Sequence, residues 1–552
     1  MIRNTVRAAP GLSRTISPAR IHSALLQAVF LTMALLVAGS VSVFVLGQDG
    51  NWDLQNYHFY NAWAFVNGRM GWDLAPAQLQ TFHNPLLDLP FYAMVAAGWS
   101  PRWISAVMAL PAGVGAFVLG KVMLLLFADL PRREQWLYAL LSFAVGISAA
   151  GPVSLLASTI NEWQGAMLLT IALWLILRRA SEAAIGWRSL VGAGLLAGIA
   201  SGLKLTAASC ALGLCVALLL RTPIARRGIR EASVFALAVA SGVALSLGPW
   251  MWKLYTHFGS PLFPYFNDYL RSPWWDAAPL IERGFGPHTL YEWLTFPLRP
   301  LRTEASFFSE LAFRDWRLPL LYLVACAVAL GWLARRGSRY PGAGTTTTAS
   351  AWHLLLVFWI VSFLVWAVLH SIYRYLLPLE LFCGAITIQL LRSGLARRWV
   401  PAAAILYAAL AIFTVRYLDW WHVDYGERYF LVDVPPVAPR AVVLLLTDAP
   451  MAYVLPFFPA DGRFLGAKNN LNRPGRHNLL EANVARIIRE HDGPLYSLAF
   501  PAGTGGDVLL AHGLRVRQPA PDCANVTTNL STSPLQLCRL QRLETAAAPL
   551  RQ

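Results

Sequence analysis

The groups in this chain best suited to chemistry are one carboxylate just after the first apolar stretch and two cations far downstream. Residues 47–92, GQDGNWDLQNYHFYNAWAFVNGRMGWDLAPAQLQTFHNPLLDLPFY, are dense in polar and aromatic side chains. Asn51 suits an N-cap, and the residues after it can run as a helix to about Val66. On that helix Asp53, Asn56, Tyr57 and Tyr60 share one face, while Trp52, Phe59, Trp63 and Val66 line another. A helix with one wet and one greasy face is expected at a membrane surface, with Asp53 in its first turn kept ionised by the helix dipole. An ionised carboxylate can take a proton from a hydroxyl. Further polar groups stand at the ends of apolar stretches: Glu162 in TINEWQGA, Lys204 in SGLKLTAA, and His370, Tyr373 and Arg374 in HSIYRYLLP. Lys204 offers a compact ammonium and Arg374 a planar fork for two oxygens, both suited to phosphate. Singly, each has a plainer account. Asp53 and Glu162 cap helices, the aromatics form an interfacial belt, and Lys204 and Arg374 snorkel to headgroups. Their convergence on one side of a membrane favours joint use, because ionisable groups at that depth are costly.

That convergence depends on the apolar elements that position them. Of 552 residues, 56% are hydrophobic and 13% charged, and the mean hydropathy is +0.48. Soluble domains carry about a quarter charged residues, so a disordered chain, a coiled coil and a conventional cytosolic enzyme are excluded in favour of a multi-pass membrane protein. The excess of 45 Lys+Arg over 29 Asp+Glu, net +16, falls in short arginine clusters between apolar stretches. It reports membrane orientation, not nucleic-acid binding.

About 20 apolar residues cross a hydrocarbon core. Spans are expected near 24–46, 103–127, 135–150, 163–178, 188–202, 205–220, 232–252, 317–334, 351–369, 376–391 and 400–417. Residues 85–99 are too short, carry Asp88 and Pro90, and read as an interfacial or re-entrant helix. With them excluded, Arg3, Arg7, Arg14 and Arg20 share the cytoplasmic side with the doublets Arg132–Arg133, Arg178–Arg179, Arg226–Arg227, Arg335–Arg336 and Arg397–Arg398. The first stretch is longer than a signal-peptide core and reads as an uncleaved span.

The expected fold class is therefore an all-α polytopic membrane protein of about eleven transmembrane helices. It has interfacial helices in its first external loop and a small C-terminal α/β extracytoplasmic domain. Residues 1–417 form the membrane domain, with external loops at 47–102 and 253–316, and residues 418–552 form the C-terminal domain. In the latter, AVVLLL (441–446) and PLYSLAF (494–500) read as strands, LLEANVARIIREH (479–491) as a helix and GTGG (503–506) as a turn. RRGSRYPGAGTTTTAS (335–350) reads as a linker. No internal repeat is visible, which counts against a transporter of inverted halves.

Cys210, Cys215, Cys326 and Cys383 lie in apolar runs and read as small core residues. Cys523 and Cys538 lie in the polar tail, where an extracytoplasmic setting favours a disulfide. His58, His83, Asp73 and Asp88 lack the spacing of a metal site, so no metal ligand is assigned and a divalent metal is only weakly supported. There is no nucleotide-binding loop and no G-x-S-x-G turn. Asn525-Val-Thr and Asn529-Leu-Ser match a glycosylation pattern too common to interpret.

The ordered set resembles the GT-C superfamily of integral-membrane glycosyltransferases, which includes protein O-mannosyltransferases, aminoarabinose transferases acting on lipid A, and polyprenyl-phosphate-mannose-dependent mannosyltransferases. It comprises DGNWDLQNYHFYNAWAFVNGR, HNPLLDLPFY, GLLAGIASGLKLTAA, PWMWKLYTHFGSPLFPYFND and HSIYRYLLPLEL, over roughly 24–420. Two departures stand out: a single acid, Asp53, where many relatives have a pair, and Asn84 where a second proline is common. The resemblance implies transfer of a sugar, usually with inversion, from a polyprenyl-phosphate donor to a lipid, glycan or protein acceptor on the external face of the plasma membrane. It places Asp53 as general base, Arg374 and Lys204 on the leaving phosphate, and Tyr373 or His370 as added hydrogen-bonding groups. Asn56, Tyr57, His58, His83, Asn84 and Glu162 support them. Three other readings remain: a transporter or flippase of a lipid-linked sugar, an oligosaccharide ligase using a pyrophosphate-linked donor, and an assembly subunit that docks partners through its tail.

Overall fold

The computed structural model describes residues 18–280, 285–303, 310–334, 348–501, 505–517 and 522–543. Arg3, Arg7, Arg14, the side chain of Arg20, the doublet Arg335–Arg336, most of the 335–350 segment and part of the 503–506 turn lie outside these residues. Each apolar stretch is helical. The helices are Pro18–Val41, Pro101–Met108 with Leu110–Leu126, Arg132–Ile147, Glu162–Leu177, Trp187–Leu203, Ala208–Leu219, Ala225–Ser246, Arg317–Ala334, Ala349–Leu369, Leu377–Gly394 and Val400–Phe413. Among the described residues six segments are long and apolar enough to cross a membrane: Ser23–Leu46, Pro101–Leu126, Ala225–Ser246, Arg317–Ala334, Ala349–Leu369 and Tyr373–Gly394. Three more, Glu162–Leu177, Trp187–Leu203 and Leu205–Leu219, are apolar but shorter. The stretch expected as one span at 232–252 is divided. A helix ends at Ser246 and another, Gly248–Phe258, starts with Pro249 near its N-terminus. Proline has no N–H to continue the earlier ladder.

Contacts between turns show how the helices alternate. At one end Arg397 Nη2 donates to Glu134 Oε1 at 2.6 Å, Arg227 Nη1 to the Ala183 carbonyl at 2.7 Å and Thr348 Oγ1 to Asp129 Oδ2 at 2.6 Å. The described arginine doublets therefore gather at one end of the bundle. At the other end Thr159 binds Asp49, Lys204 binds Glu162, and Arg374 binds Asp53. Helix Trp187–Leu203 packs directly on the backbone of Ala225–Ser246. A Cβ at Gly198 would lie 2.2 Å from the Val239 carbonyl oxygen, and one at Gly202 would lie 2.2 Å from Ser246 Oγ. The glycines of GLLAGIASGLK thus set where Lys204 emerges.

The tail forms a mixed sheet. Strand Val442–Leu445 runs parallel to Arg463–Gly466 on one side and to Leu495–Ala499 on the other. Leu535–Arg542 follows antiparallel to Leu495–Ala499 and to Cys523–Thr528, and Val432–Asp433 closes that edge. Leu514–Val516 pairs with the far end of Leu535–Arg542. Helix Leu479–Glu490, capped by Asn478, buries Leu480, Val484, Ile487 and Ile488. Cys523 and Cys538 face each other across two strands and are bonded, 15 residues apart. Closing a loop of that length stabilises a fold by about 3 kcal/mol. The double variant Cys523→Ser/Cys538→Ser is expected to melt earlier, with reductant lowering the wild type to the same temperature; equal melting would show that the bond contributes nothing.

Much of the first loop is buried under the tail. The Leu74 N–H donates to the Phe464 carbonyl at 3.1 Å, and the Gly466 N–H donates to the Leu74 carbonyl at 2.8 Å, so the loop joins the edge of the tail's sheet. Phe59 packs among Phe91, Tyr92, Phe430 and Phe457. The tail covers the first loop, and this replaces the surface helix with a buried one.

Candidate active site

Asp53 owes its position to a fixed neighbour. DGNWD holds two acids and not the single one expected, and the additional one, Asp49, is structural: its carboxylate accepts from the Thr159 N–H at 2.7 Å, Thr159 Oγ1 at 2.8 Å and Asn51 Nδ2 at 2.8 Å. Asn51 in turn accepts from the Leu54 N–H at 2.9 Å, the capping bond expected of it. The chain then runs into a widened π-turn, Leu54–His58, before regular helix Phe59–Val66. That turn breaks the ordinary spacing. Asp53, Asn56, Tyr57 and Tyr60 do not form one wet face: all are buried, and the Tyr60 hydroxyl donates to Asp73 Oδ2 at 2.7 Å, away from Asp53. Asp73 is held also by Arg69.

Arg374 reaches Asp53 from a short 3-10 turn, Tyr373–Leu376, that opens helix Leu377–Gly394. Arg374 Nη1 donates to Asp53 Oδ2 at 2.6 Å, and Nη2 lies 3.1 Å from Glu310 Oε1. The guanidinium stands 5.3 Å from the Tyr375 ring centre, and Lys204 Nζ stands 5.4 Å from the same centre. Tyr375 therefore holds the two cations around one aromatic surface. Lys204 also pairs with Glu162 and donates to the Ile160 carbonyl at 2.9 Å. Neither residue needs the headgroup or capping role open to it from sequence. Burial raises the Asp53 carboxyl, but Arg374, His58 and Lys204 outweigh burial and hold it below the ordinary carboxylate range.

The supporting residues divide. His58 Nδ1 lies 2.7 Å from Asp88 Oδ1, which also accepts from Asn161 Nδ2 at 2.8 Å. His83 Nε2 lies 2.8 Å from the Tyr265 hydroxyl, and its ring meets Tyr57 edge-on at 5.1 Å. Burial lowers His83 to about 4, so it is neutral at physiological pH. Asn84 caps the 3-10 turn Pro85–Leu87 and donates to the carbonyls of Gly202 at 3.1 Å and Ser246 at 2.9 Å. It ties the first loop to the helix end that carries Lys204. Among the described residues His370 reaches the site through the Tyr375 ring, edge-on at 5.7 Å.

Tyr373 is a correction. Its hydroxyl bonds Glu380 and its ring packs on Phe313, so the hydroxyl is engaged by a carboxylate of the following helix. Alternate residues of a 3-10 turn point in different directions, and Tyr375 takes the place expected of Tyr373. Tyr375 was legible only as the next residue of the same motif. Glu310 lies in a loop without any motif. Among the described residues no group of three or more His, Cys, Asp or Glu is placed to hold a metal.

Glu310 would compete for Arg374 with an incoming anion, and burial raises its carboxyl. Glu310→Gln removes that competing charge. It is expected to tighten binding of polyprenyl monophosphate by about 2- to 10-fold, the scale of one partly exposed ion pair. Weaker binding in the variant would mean that Glu310 orders the site instead.

No family model matches the sequence, and no curated protein matches it. Among solved structures the chain is similar to ArnT from Cupriavidus metallidurans, crystallised with undecaprenyl phosphate bound. The two are 13% identical with a TM-score of 0.47, over 94% of this chain and 98% of that one.

Proposed function

We propose that this chain is a membrane glycosyltransferase of the GT-C type. It moves a hexose or pentose from a polyprenyl-phosphate carrier to a hydroxyl of a lipid, glycan or protein acceptor on the extracytoplasmic face. In this reading all eleven apolar helices cross the plasma membrane. The arginine doublets are cytoplasmic, residues 1–417 form the catalytic membrane domain, and the domain 418–552 lies outside. The observation that carries the reading is the 2.6 Å contact of Arg374 with Asp53, beside a second cation, Lys204, on the shared Tyr375 ring.

The chemistry follows from that arrangement. The carrier phosphate takes Arg374 and Lys204 as ligands, drawing Arg374 away from Asp53. A carboxylate that loses a cationic neighbour becomes a stronger base. Asp53 then removes the proton of the acceptor hydroxyl while its oxygen attacks the anomeric carbon. The bond from that carbon to the phosphate oxygen breaks on the opposite face, inverting the configuration, and polyprenyl monophosphate leaves with the electron pair. The two cations stabilise the charge that develops on it. No nucleotide is consumed. Lipid and protein extracts of cells with and without the gene test this: a species heavier by one sugar residue is expected only with the gene. Identical mass spectra would contradict the proposal.

A further inference from the structure

Beginning at Asn56, three residues beyond Asp53, lies a group of amides that neither the cations nor the base accounts for. Gln78 Nε2 donates to Asn56 Oδ1 at 3.2 Å, Asn56 Nδ2 to Gln80 Oε1 at 3.3 Å, and Asn61 Nδ2 to the Gln80 carbonyl at 2.8 Å. The tail closes over them. Asn470 Nδ2 donates to Gln80 Oε1 at 3.4 Å, its Oδ1 accepts from the Leu79 N–H at 2.9 Å, and Gln78 Nε2 donates to the Asp448 carbonyl at 2.9 Å.

Three features separate this cluster from ordinary packing. Several of its bonds are long, so the amides are only loosely satisfied by one another. Two buried oxygens, Gln78 Oε1 and Asn61 Oδ1, have no partner among the described residues, although buried polar groups are nearly always paired. Gln78 is also held at φ 59°, a left-handed conformation that costs a side chain about 1 kcal/mol or more and persists where the surrounding structure over-determines it. An amide presents a donor and an acceptor side by side without charge. That matches vicinal hydroxyls, and it neither competes with Asp53 for protons nor attracts the phosphate away from Arg374 and Lys204.

We propose that Asn56, Asn61, Gln78 and Gln80, closed by Asn470 of the C-terminal domain, form a subsite for the hydroxyls of a sugar ring, so that the C-terminal domain takes part in choosing the substrate. The proposal rests on the glycosyltransferase reading. The sugar is either the one carried by the donor or one on the acceptor, and two arms of one experiment separate them.

Gln80→Met keeps the length of the half-buried side chain without its polar groups, and Asn470→Ala trims an exposed one. In the first arm, binding of bare polyprenyl monophosphate and of the same lipid carrying a sugar is measured on the full-length protein in detergent. In the second, sugar released to water is compared with sugar transferred to a membrane extract. Each variant is expected to bind the bare carrier as the wild type does. If the subsite holds the donor sugar, each variant loses about 3- to 10-fold in affinity for the sugar-bearing lipid, the scale of one hydrogen bond. If it holds the acceptor, donor affinity stays and the products shift toward hydrolysis by a similar factor. No change in either arm overturns the proposal, and so does an equal loss for bare and sugar-bearing lipid, which assigns the amides a purely structural role. A wild-type protein that neither prefers the sugar-bearing lipid nor transfers its sugar removes the glycosyltransferase reading, and the subsite falls with it.

Discussion

Asp53→Asn is expected to lower sugar transfer by about 10²- to 10⁴-fold, the usual contribution of a positioned general base, while the protein still binds its carrier. The substitution keeps the shape of the side chain and an oxygen for Arg374 Nη1, so the 2.6 Å contact has a neutral successor. Arg374 retains Glu310, and Asn51 still caps the segment through the Leu54 N–H. What disappears is the charge that takes the proton. Removing a carboxylate that competes for Arg374 leaves carrier binding equal or tighter. Asp53→Asn therefore separates an enzyme from a flippase, which would go on moving lipid unless this carboxylate carries protons. The pH dependence has a definite sign. Because Asp53 is held below the ordinary carboxylate range while Arg374 stands beside it, wild-type transfer at limiting donor, which reports the carrier-free protein, should persist as pH falls through that range and fail only below it. Activity that falls at the pH of an ordinary carboxylate would show that another acid titrates.

Arg374→Ala is expected to cost about 10²- to 10³-fold in transfer, the range for loss of one preorganised charged donor, with weaker carrier binding as well. It has a second signature. Arg374 is the largest influence lowering the Asp53 carboxyl, and burial, which raises it, remains when the guanidinium is gone. The acid limb of the profile at limiting donor should move to higher pH in Arg374→Ala. Arg374→Lys restores charge but not the fork that spans Asp53 and Glu310, so it should recover only part of the rate. The losses from Asp53→Asn and Arg374→Ala should not add, since the two side chains touch and act in one step. Additive losses, or an unmoved acid limb, would place Asp53 and Arg374 in separate roles.

Much of this arrangement was legible in the sequence because membrane physics is restrictive. Apolar runs bounded by arginine give helix positions and ends, and Glu162, Lys204 and Arg374 were visible as charges where charge is expensive. The strands around 442–445 and 495–499 and the helix from Leu479 followed from alternation and periodicity. What escaped was either non-local or confined to a single irregular turn. The π-turn at Leu54–His58 has no periodic signature, so the face assigned to Asp53, Asn56, Tyr57 and Tyr60 was wrong. Burial of the first loop depends on Leu74 joining a strand nearly 400 residues later, which hydropathy does not reveal. Asp49 and Asp53 look alike as acids in a polar loop, and distant partners distinguish them, Thr159 on Asp49 and Arg374 on Asp53. The exchange of Tyr373 for Tyr375 turns on the direction of one residue in a short turn.

An oligosaccharide ligase would use the same cations on a pyrophosphate, and an assembly subunit would need only the tail. The most direct measurement is made on purified protein in liposomes with a polyprenyl-monophosphate sugar labelled on the sugar and, separately, on the lipid. With a membrane extract as acceptor source, labelled sugar should pass to a new product as unsugared polyprenyl monophosphate appears in equal amount, in the wild type but not in Asp53→Asn. Donor that crosses the bilayer with both labels still joined, or turnover confined to a pyrophosphate-linked donor, would contradict the assignment.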